Sequence, residues 1–395
     1  MTVKARKAFS SAISTERDWR GAARSVCLEV QKDLGAGPCD LALFFVSEAF
    51  GNFDAGALAA FLSETLGCGV LLGCNSSGVI GGGREIEMQP ALSLLAMRLP
   101  EVKITPFTIS PEDLGKTEDA TQLIAALDIY PTDKPNFICL ADSMSCDIEK
   151  LLKLFNEGYG ACPVIGGLAS GAAVGASNWL CLKGEMVPSG AVGVALSGAV
   201  EFEVIVSQGC RPIGEPGIIT KADKNLVFEL AGRPVLEVLR ETLSRLSEED
   251  RELAHQSLFV GLVIDEYQSQ FKRGDFLIRN LMGVDAQTGA MAIGSMVKKG
   301  QTLQFQLRDA KTSDEDLRAL LDKLPDAAQS VQGAFLVSCC GRGRGLYGKP
   351  DHDVKTILSK RGPLPIAGFF ANGEIGPIGG KNYVHGYTSS LVLIK

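Results

Sequence analysis

The hydrophobic pattern of the chain repeats three times in the order strand, helix, strand, strand. In the first copy, the apolar run "DLALFFVS" (40–47) predicts a buried strand, and "DAGALAAFLSETLG" (54–67) predicts a helix with Asp54 as its N-cap. The runs "GVLLGCNSSG" (69–78) and "ALSLLAMRL" (91–99) predict two further strands. An internal repeat of this kind predicts a fold that is assembled from copies of one supersecondary unit.

The second and third copies follow the same order. The second has "NFICLADS" (136–143), the helix "DIEKLLKLFNEG", the strand "PVIGGLASG" and, after a hairpin through "KGEMVPSG", the strand "AVGVALSG" (191–198). The third has "GAFLVSCC" (333–340), "DHDVKTILSK", "PIAGFFANG" and "TSSLVLI" (388–394). Because the first two strands of each copy need a crossover connection, we expect them to be parallel, while the third returns after a short turn.

A G-x-x-x-x-G step ends the second strand of every copy. These steps run from Gly73 to Gly78, from Gly166 to Gly171 and from Gly368 to Gly373. We expect the glycine turns to gather at one edge of the sheets and the glycines to serve backbone geometry first. Three apolar runs within residues 257–297 predict a degenerate fourth unit that lacks its helix.

The length of the chain and its turn-forming residues predict two domains. A chain of 395 residues exceeds the size that a single core usually supports. Proline and glycine cluster in "GCRPIGEPG" (209–217), which favours a boundary at about residue 220. We therefore expect a strand and a helix in residues 1–37 that pack on a first domain, 38–220, followed by a second domain, 221–395. The predicted fold class is α/β to α+β, with mixed sheets flanked by helices.

Composition narrows the classes of partner and compartment. The net charge of −7 gives no basic surface for nucleic acid, so we expect none as a partner. The N-terminus lacks the pattern of a secretory signal, and the long uncharged run 159–183 is broken by glycines and Pro163, so we expect neither export nor a membrane span. Eleven cysteines without a C-x-x-C pair favour reduced thiols in the cytoplasm and no metal site.

Polar side chains at the ends of the predicted second strands are candidates for binding a small molecule, because loops on a rigid scaffold commonly hold ligand contacts. The candidates are Asn75, Ser76, Ser77, Gly78, Ser170 and Asn372. Glu374, which has no counterpart in the other two copies, could accept an amine or lie on an exposed turn. Arg279, at another strand end, could grip a carboxylate, so Arg279 and Glu374 together would suit a zwitterion. The dinucleotide fingerprint G-x-G-x-x-G is absent from "CNSSGVIGGGRE", which argues against nucleotide binding.

Two other chemistries stay open. Cys339 and Cys340 end a strand beside arginines, and an electropositive setting would lower a thiol pKa, so either could be a reactive thiol of a cysteine-dependent enzyme. Such cysteines are also common as buried strand residues. His385 could ligate a haem iron or simply bond the neighbouring glycine turn. No complete catalytic motif is present, so we predict no catalytic residues and no cofactor, with haem as the alternative.

Several ordered motifs resemble the FIST family, the F-box and intracellular signal transduction proteins. "GFFANGEIGPIGG" with "VHGYTSSLVLIK" resembles its C-terminal signature, and "DLALFFVSEAFG", "GCNSSGVIGGG" and "PVIGGLASG" resemble its N-terminal domain. "FLIRNLMGVDAQTGAMAIG", "GQTLQFQLRDA" and "FLVSCCGRG" resemble its C-terminal domain. The resemblance covers about residues 38–395.

The resemblance implies a cytoplasmic sensory module that binds small molecules such as amino acids and acts on signalling proteins. Some relatives are fused to output domains or carry an F-box, and some bind haem and report nitric oxide. This sequence shows neither an F-box nor an output domain, so we expect a stand-alone, non-enzymatic sensor. Its expected partners are a small polar ligand and a signalling protein.

Overall fold

The computed structural model describes residues 7–35, 37–172, 177–285, 287–325 and 331–395. The strands are β1 (Ala8–Ser14), β2 (Cys39–Ser47), β3 (Cys68–Ser76), β4 (Gly78–Gly81), β5 (Arg84–Glu87), β6 (Leu92–Arg98), β7 (Val102–Ile109), β8 (Asn136–Ala141), β9 (Val164–Leu168), β10 (Leu180–Leu182), β11 (Glu185–Val187), β12 (Ala191–Gly198), β13 (Phe202–Gln208), β14 (Cys210–Asp223), β15 (Leu226–Leu230), β16 (Arg233–Pro234), β17 (Leu258–Val263), β18 (Phe276–Asp285), β19 (Ala290–Ile293), β20 (Thr302–Arg308), β21 (Gly333–Cys339), β22 (Ile366–Ala371), β23 (Glu374–Ile378), β24 (Lys381–His385) and β25 (Thr388–Ile394). The helices are α1 (Trp19–Leu34), α2 (Ala55–Leu66), α3 (Pro111–Lys116), α4 (Ala120–Leu127), α5 (Ile148–Tyr159), α6 (Val235–Ser244), α7 (Glu248–Ser257), α8 (Ala310–Lys323), α9 (Gly343–Tyr347) and α10 (His352–Arg361). The mixture confirms the predicted class of α/β to α+β with mixed sheets.

The chain forms two compact units. Unit 1 takes the described residues of Met1–Val206, Arg318–Val384 and Thr388–Lys395, and unit 2 takes those of Ser207–Leu317 and His385–Tyr387. The domain boundary predicted at about residue 220 stays a prediction. Unit 1 contains residues from both sides of that position, because β21, β22 and β25 of the third copy pack with the first two copies rather than with the segment that precedes them.

Unit 1 contains three six-stranded sheets, one for each copy of the repeat. Sheet 1 has the order β1-β6-β2-β3-β10-β11, sheet 2 the order β7-β12-β8-β9-β23-β24, and sheet 3 the order β13-β25-β21-β22-β4-β5. The first two strands of every copy pair in parallel, as predicted, and the returning strand pairs antiparallel to the first. The three sheets therefore share one topology, and the repeat that the sequence shows is a structural repeat.

In each copy, a pair of strands joins the sheet of another copy. The hairpin β4–β5, which follows the second strand of copy 1, joins β22 in sheet 3. The pair β23–β24 of copy 3 joins β9 in sheet 2, and β10–β11 of copy 2 joins β3 in sheet 1. The hairpin through Lys183 leads into β12, the return strand of its own copy, as predicted, but the hairpin itself pairs with sheet 1. An unpaired strand edge accepts any strand that reaches it, and the glycine steps let the chain leave its own sheet.

The alternation of side chains along β2 shows where the cores lie. Leu43 and Phe45 point into a central core that all three sheets share, and Phe45 stacks on Phe335 of sheet 3 with ring centroids 5.5 Å apart. Phe44 and Val46, on the opposite face, pack under α1 and α2. A strand that is buried on both faces must be apolar throughout, which explains the continuous run that predicted it.

The first glycine of each step is required by a close approach of two backbones. A Cβ atom on Gly166 would lie 1.7 Å from the carbonyl oxygen of Cys139, and one on Gly368 would lie 1.7 Å from that of Leu336. Both contacts are with the parallel partner strand, which cannot move aside without breaking the sheet. The expectation that these glycines serve backbone geometry is confirmed.

Unit 2 is built on six antiparallel strands whose pairings close into a ring, in the order β14-β20-β17-β18-β19-β15 and back to β14. Val260, Met291 and Phe305 are among the buried residues inside it, and α6 packs against the same core. The prediction of a degenerate fourth unit is wrong, because these strands form a meander without a parallel pair. The runs of β17 and β19 are mostly buried, as in the repeat, whereas β18 has only two buried positions.

Candidate functional site

The turns that end the second strands of the three copies meet in unit 1. The backbone N–H of Ser77, in the step of copy 1, donates a hydrogen bond of 2.9 Å to Oγ of Ser170, in the step of copy 2. The Ser170 hydroxyl in turn donates to the carbonyl of Phe370, at the end of β22 in copy 3. This meeting place, formed by Ser77, Ser170 and the end of β22 with the residues around them, is called the junction below. It lies at the carboxyl ends of parallel strands, where α/β proteins place their ligands.

Cys340 adds a thiol to the junction. Its Sγ lies 3.1 Å from Oγ of Ser77, and its N–H donates a 2.9 Å hydrogen bond to the carbonyl of Ala371. The residue is exposed, but the surrounding turns crowd its Sγ, and this loss of solvent raises the pKa of the thiol. Contacts with Ser77 and Ser170 oppose the rise, and the charge of Glu374 adds to it. The expectation that nearby arginines lower this pKa is therefore wrong for Cys340.

Glu374 is a fully buried carboxyl group beside the junction. It is the first residue of β23 and lies opposite Gly167 of β9 in the sheet. Its Oε2 accepts hydrogen bonds from the N–H and the hydroxyl of Thr388, at 3.0 and 2.8 Å. Its Oε1 is buried and accepts none from an N–H or O–H group of the described residues. Burial raises its pKa to about 7, against the opposing effects of Thr388, Cys339 and Arg342.

The interpretation of Glu374 as an exposed turn residue is wrong, since its side chain has no exposed surface. The turn is formed by the two residues before it, Asn372, which is exposed, and Gly373, which has φ 136°. β23 begins at Glu374 and enters sheet 2, which buries the carboxyl group. Sequence alone does not reveal this, because Gly167 of the partner strand β9 is 207 positions away from Glu374.

The positive charge beside the two cysteines is already neutralised. Arg342 is completely buried, and its guanidinium contacts Asp353 through Nε to Oδ2 at 2.8 Å and Nη2 to Oδ1 at 3.1 Å. Burial alone would raise the pKa of Asp353, but the charge of Arg342 and the hydrogen bonds from His352 and Arg342 hold it well below the usual range. A paired guanidinium does little to stabilise a thiolate, which explains why Cys340 is not activated.

Three of the predicted residues have structural roles at the end of β3 and the start of β4. Asn75 is buried, and its Oδ1 accepts a 3.0 Å hydrogen bond from the N–H of Trp179. The Ser76 hydroxyl is also buried and donates to the carbonyl of Gly78 at 2.8 Å. Gly78 begins β4. These residues shape the turn, whereas the partly exposed Ser77 and Ser170 lie at the junction.

Arg279 and His385 belong to unit 2. Arg279 lies on β18, with its Nη1 donating a 3.0 Å hydrogen bond to the carbonyl of Ile278, and its pairing with a ligand carboxylate stays a prediction. His385 ends β24 and is 1% exposed. A ring that is this buried offers no open face to an iron atom. Haem binding therefore stays a prediction without geometric support. The described residues include no group of three His, Cys, Asp or Glu side chains that could hold a metal ion.

Sequence reasoning missed three features. Thr388, which binds Glu374, reads in sequence as the start of a strand. The buried pair Arg342–Asp353 reads as a loop arginine and an acidic residue near the start of a predicted helix. A cleft of about 690 Å³ in unit 2 holds Arg211 between Asp250 and Asp309, which is 98 positions away. The partners lie 11, 14 and 98 positions apart, and the residue types by themselves do not indicate that they pair.

Comparison with known proteins extends over nearly the whole chain. A model of the FIST N domain matches residues 40–233, and a model of the FIST C domain matches residues 236–377. An uncharacterized protein of Mycobacterium tuberculosis H37Rv is 37% identical over 382 residues, which cover 96% of this chain and 98% of the relative. An uncharacterized protein of Mycobacterium bovis is 37% identical over 386 residues, with 96% and 97% covered. Among the described helices, none is both long and apolar enough to cross a membrane.

Proposed function

Because the chain belongs to the FIST family, we propose that it is a cytoplasmic, non-enzymatic sensor that binds a small polar metabolite, such as an amino acid, at the junction. FIST domains are associated with sensing in signal transduction, and the family is sensory rather than catalytic. The class of ligand and its binding site on this chain are what we propose.

The observation that carries the proposal is the convergence of polar groups from three separate copies. Ser77, Ser170 and Asn372 occupy the same position in the three glycine steps, directly before the second glycine. Ser77 and Ser170 contact one another, and Asn372 follows β22 by one residue and is exposed. A few convergent hydroxyl and amide groups on a rigid frame are typical of small-molecule sites. Three polar side chains are enough to bind a small polar ligand, whereas a large ligand needs more contacts.

Glu374 gives the junction its charge preference. Its carboxyl group is close enough to raise the pKa of Cys340, so its negative charge extends to the junction although its side chain is buried. Arg342, whose positive charge acts on Glu374, is paired with Asp353, which offsets that charge. The site therefore favours a ligand with an ammonium group, and the hydroxyl and amide groups bind its polar remainder.

Occupation of the junction supports a signalling role because three sheets meet there. A ligand that bridges Ser77, Ser170 and Asn372 favours the conformation in which all three turns are in register. A partner protein that recognises this conformation would then respond to the ligand. No catalytic step is required.

The test is a thermal-shift and native mass spectrometry screen of the purified protein with amino acids and their deaminated analogues. We expect at least one amino acid to raise the melting temperature, and its deaminated analogue not to do so. Ser170→Ala should weaken the shift, while Ser269→Ala, which alters an exposed serine of unit 2, should keep it. The proposal fails if no amine in the panel binds, or if Ser170→Ala binds as the wild type does.

A further inference from the structure

Cys39 and Cys68 lie side by side at the end of sheet 1 where its parallel pair begins. Each is the first residue of its strand, and the two are direct partners in the register of β2 and β3. Directly paired residues on neighbouring strands point to the same face of a sheet, so the two side chains lie next to one another. The Cys39 thiol donates a hydrogen bond of 3.5 Å to the carbonyl of Leu41. Both cysteines are free.

We propose that Cys39 and Cys68 are a redox pair, in which Cys68 reacts with a hydroperoxide and Cys39 resolves the product as a disulfide. The two residues differ in the way that this division of roles requires. Cys68 is half-buried and reachable from solvent, whereas Cys39 is 4% exposed. A redox-sensing cysteine is typically accessible, rich in thiolate and placed beside a resolving cysteine.

The neighbouring cysteines and their different exposure set the order of reaction. The interaction with Cys39 lowers the pKa of Cys68, although burial acts in the opposite direction. The interaction with Cys68 raises the pKa of Cys39, and burial adds to the effect. Burial also raises the pKa of the nearby Cys27 and Cys181 to about 12, so neither competes as a nucleophile. Cys68 is therefore the thiol of this group that reaches the thiolate form most easily.

A cavity beside the pair leaves room for the reaction. It measures about 360 Å³ and is lined by Cys39 with residues of α1, the following loop and the end of α2, including Leu34, Gly37 and Leu66. The Cys39 sulfur can turn within this space without displacing the core. Cys68 is not among the residues that line it, so Cys68 meets a hydroperoxide through its own partly exposed surface.

The chemistry is balanced with a hydroperoxide as the oxidant. The Cys68 thiolate attacks the terminal oxygen of ROOH, an S–O bond forms, the O–O bond breaks, and ROH leaves after taking a proton from solvent. The Cys39 thiol then attacks the sulfenic sulfur, an S–S bond forms, the S–O bond breaks, and the Cys39 proton leaves with hydroxide as water. Two thiols lose two electrons in total, and the hydroperoxide is reduced to an alcohol and water.

The redox pair is separate from the junction. Cys39 and Cys68 begin the strands that end at Ser47 and Ser76, so about eight residues of extended chain, or about 25 Å, separate the pair from the ligand site. A disulfide would tie the starts of β2 and β3 across the crossover through α2. Oxidation can thus be tested without any ligand.

The experiment treats the reduced full-length protein with hydrogen peroxide at neutral pH. Thiols are then counted in denaturant, and peptides are mapped without reduction. We expect two of the eleven thiols to be lost, with a Cys39–Cys68 linked peptide as the main product. Cys39→Ser should trap a sulfenic acid on Cys68 that dimedone labels, and Cys68→Ser should leave Cys39 unoxidised. Cys162→Ser, which removes another half-buried cysteine whose pKa is raised, is the matched control and should behave as the wild type does.

Mapping of the wild-type protein decides the matter even if a variant fails to fold. Oxidation of Cys162 or Cys340 before Cys68, or peroxide treatment that leaves Cys39 and Cys68 unlinked, would overturn the proposal. Iodoacetamide gives a second measure, since Cys68 should react faster than Cys162. Equal rates would also contradict the assigned roles.

Discussion

The backbone N–H of Ser77 donates a 2.9 Å hydrogen bond to Oγ of Ser170, across 93 positions of sequence. The two serines occupy the same place in the glycine steps of two different copies of the repeat. The same Ser170 hydroxyl donates to the carbonyl of Phe370, in the third copy. The side chain of Ser170 thus connects the ends of strands from three sheets. A ligand bound at the junction would contact all three copies of the repeat.

Ser170→Ala tests the structural part of this role. The change removes the acceptor for the Ser77 N–H and the donor to the Phe370 carbonyl, so two partly buried groups lose a partner. We expect the free energy of unfolding to fall by about 1–3 kcal/mol, measured by denaturant titration. Ser269→Ala should change it by less than about 0.5 kcal/mol, because that residue is exposed. A Ser170 variant as stable as the wild type would show that the bond contributes nothing.

Glu374→Gln tests the buried carboxyl group through pH. Burial raises the pKa of Glu374 to about 7 in the folded protein, whereas the ordinary pKa of a glutamate is 4.5, so the folded state binds more protons between these pH values. This contribution to stability is complete below pH 4.5 and is lost as the pH rises through about 7, at a rate of up to about 1.4 kcal/mol per pH unit.

In Glu374→Gln this slope should be absent, so the variant gains stability relative to the wild type between pH 5 and 8. Denaturant titrations at several pH values measure the difference. Glu48→Gln, at an exposed position, should keep the wild-type slope. Glu85, whose pKa burial raises to about 8, is present in all three proteins, and its effect cancels in the comparison. Parallel curves for wild type and Glu374→Gln would contradict the assignment.

The same carboxyl group predicts a pH dependence of ligand binding. Since Glu374 becomes negative as the pH rises through about 7, an amine ligand should bind more tightly at pH 8 than at pH 6, provided that it is protonated at both. Titration calorimetry with a ligand found in the screen measures this. In Glu374→Gln the affinity should be weaker and nearly independent of pH over that range. Affinity that falls as the pH rises would exclude an electrostatic role for Glu374.

Arg342→Ala tests the buried ion pair. Without the guanidinium, Asp353 is left as an uncompensated buried charge, and we expect the free energy of unfolding to fall by about 3–5 kcal/mol. The double variant Arg342→Met, Asp353→Leu removes both charges and should recover most of the loss. Lys116→Ala, which breaks an exposed ion pair with Glu112, should have little effect. If the double variant is no more stable than Arg342→Ala, the loss comes from packing and not from charge.

Gly368→Ala tests the close approach of the parallel strands. The added Cβ would lie 1.7 Å from the carbonyl oxygen of Leu336, so the strands must separate, and we expect a loss of at least about 2 kcal/mol of stability. Gly345→Ala in α9 is the matched control, because nothing lies within 4 Å of its Cβ position. Thermal unfolding of the two variants measures the difference. Equal melting temperatures would show that the sheet adjusts without cost.

The sequence by itself determined the local elements and their repetition. The sequence predicted α2 from an apolar run between Asp54 and Gly67, and it predicted α5 from a run that follows Asp147. Both helices are present, because burial and capping leave a local pattern of residues. The parallel pairing of the first two strands followed from the length of the crossover. The candidate residues Ser77 and Ser170 were also identified from their place at strand ends, although not their contact.

Only the tertiary structure decided which sheet each hairpin joins, which carboxyl group is buried and which cysteines meet. Strand pairing depends on backbone hydrogen bonds, which nearly every residue can form, so the sequence of β23 does not specify β9 as its partner. Glu374 is buried as a consequence of that pairing. Cys39 and Cys68 meet because β2 and β3 align in register, 29 residues apart. Such contacts are set by the packing of distant segments, for which a local pattern of residues carries no signal.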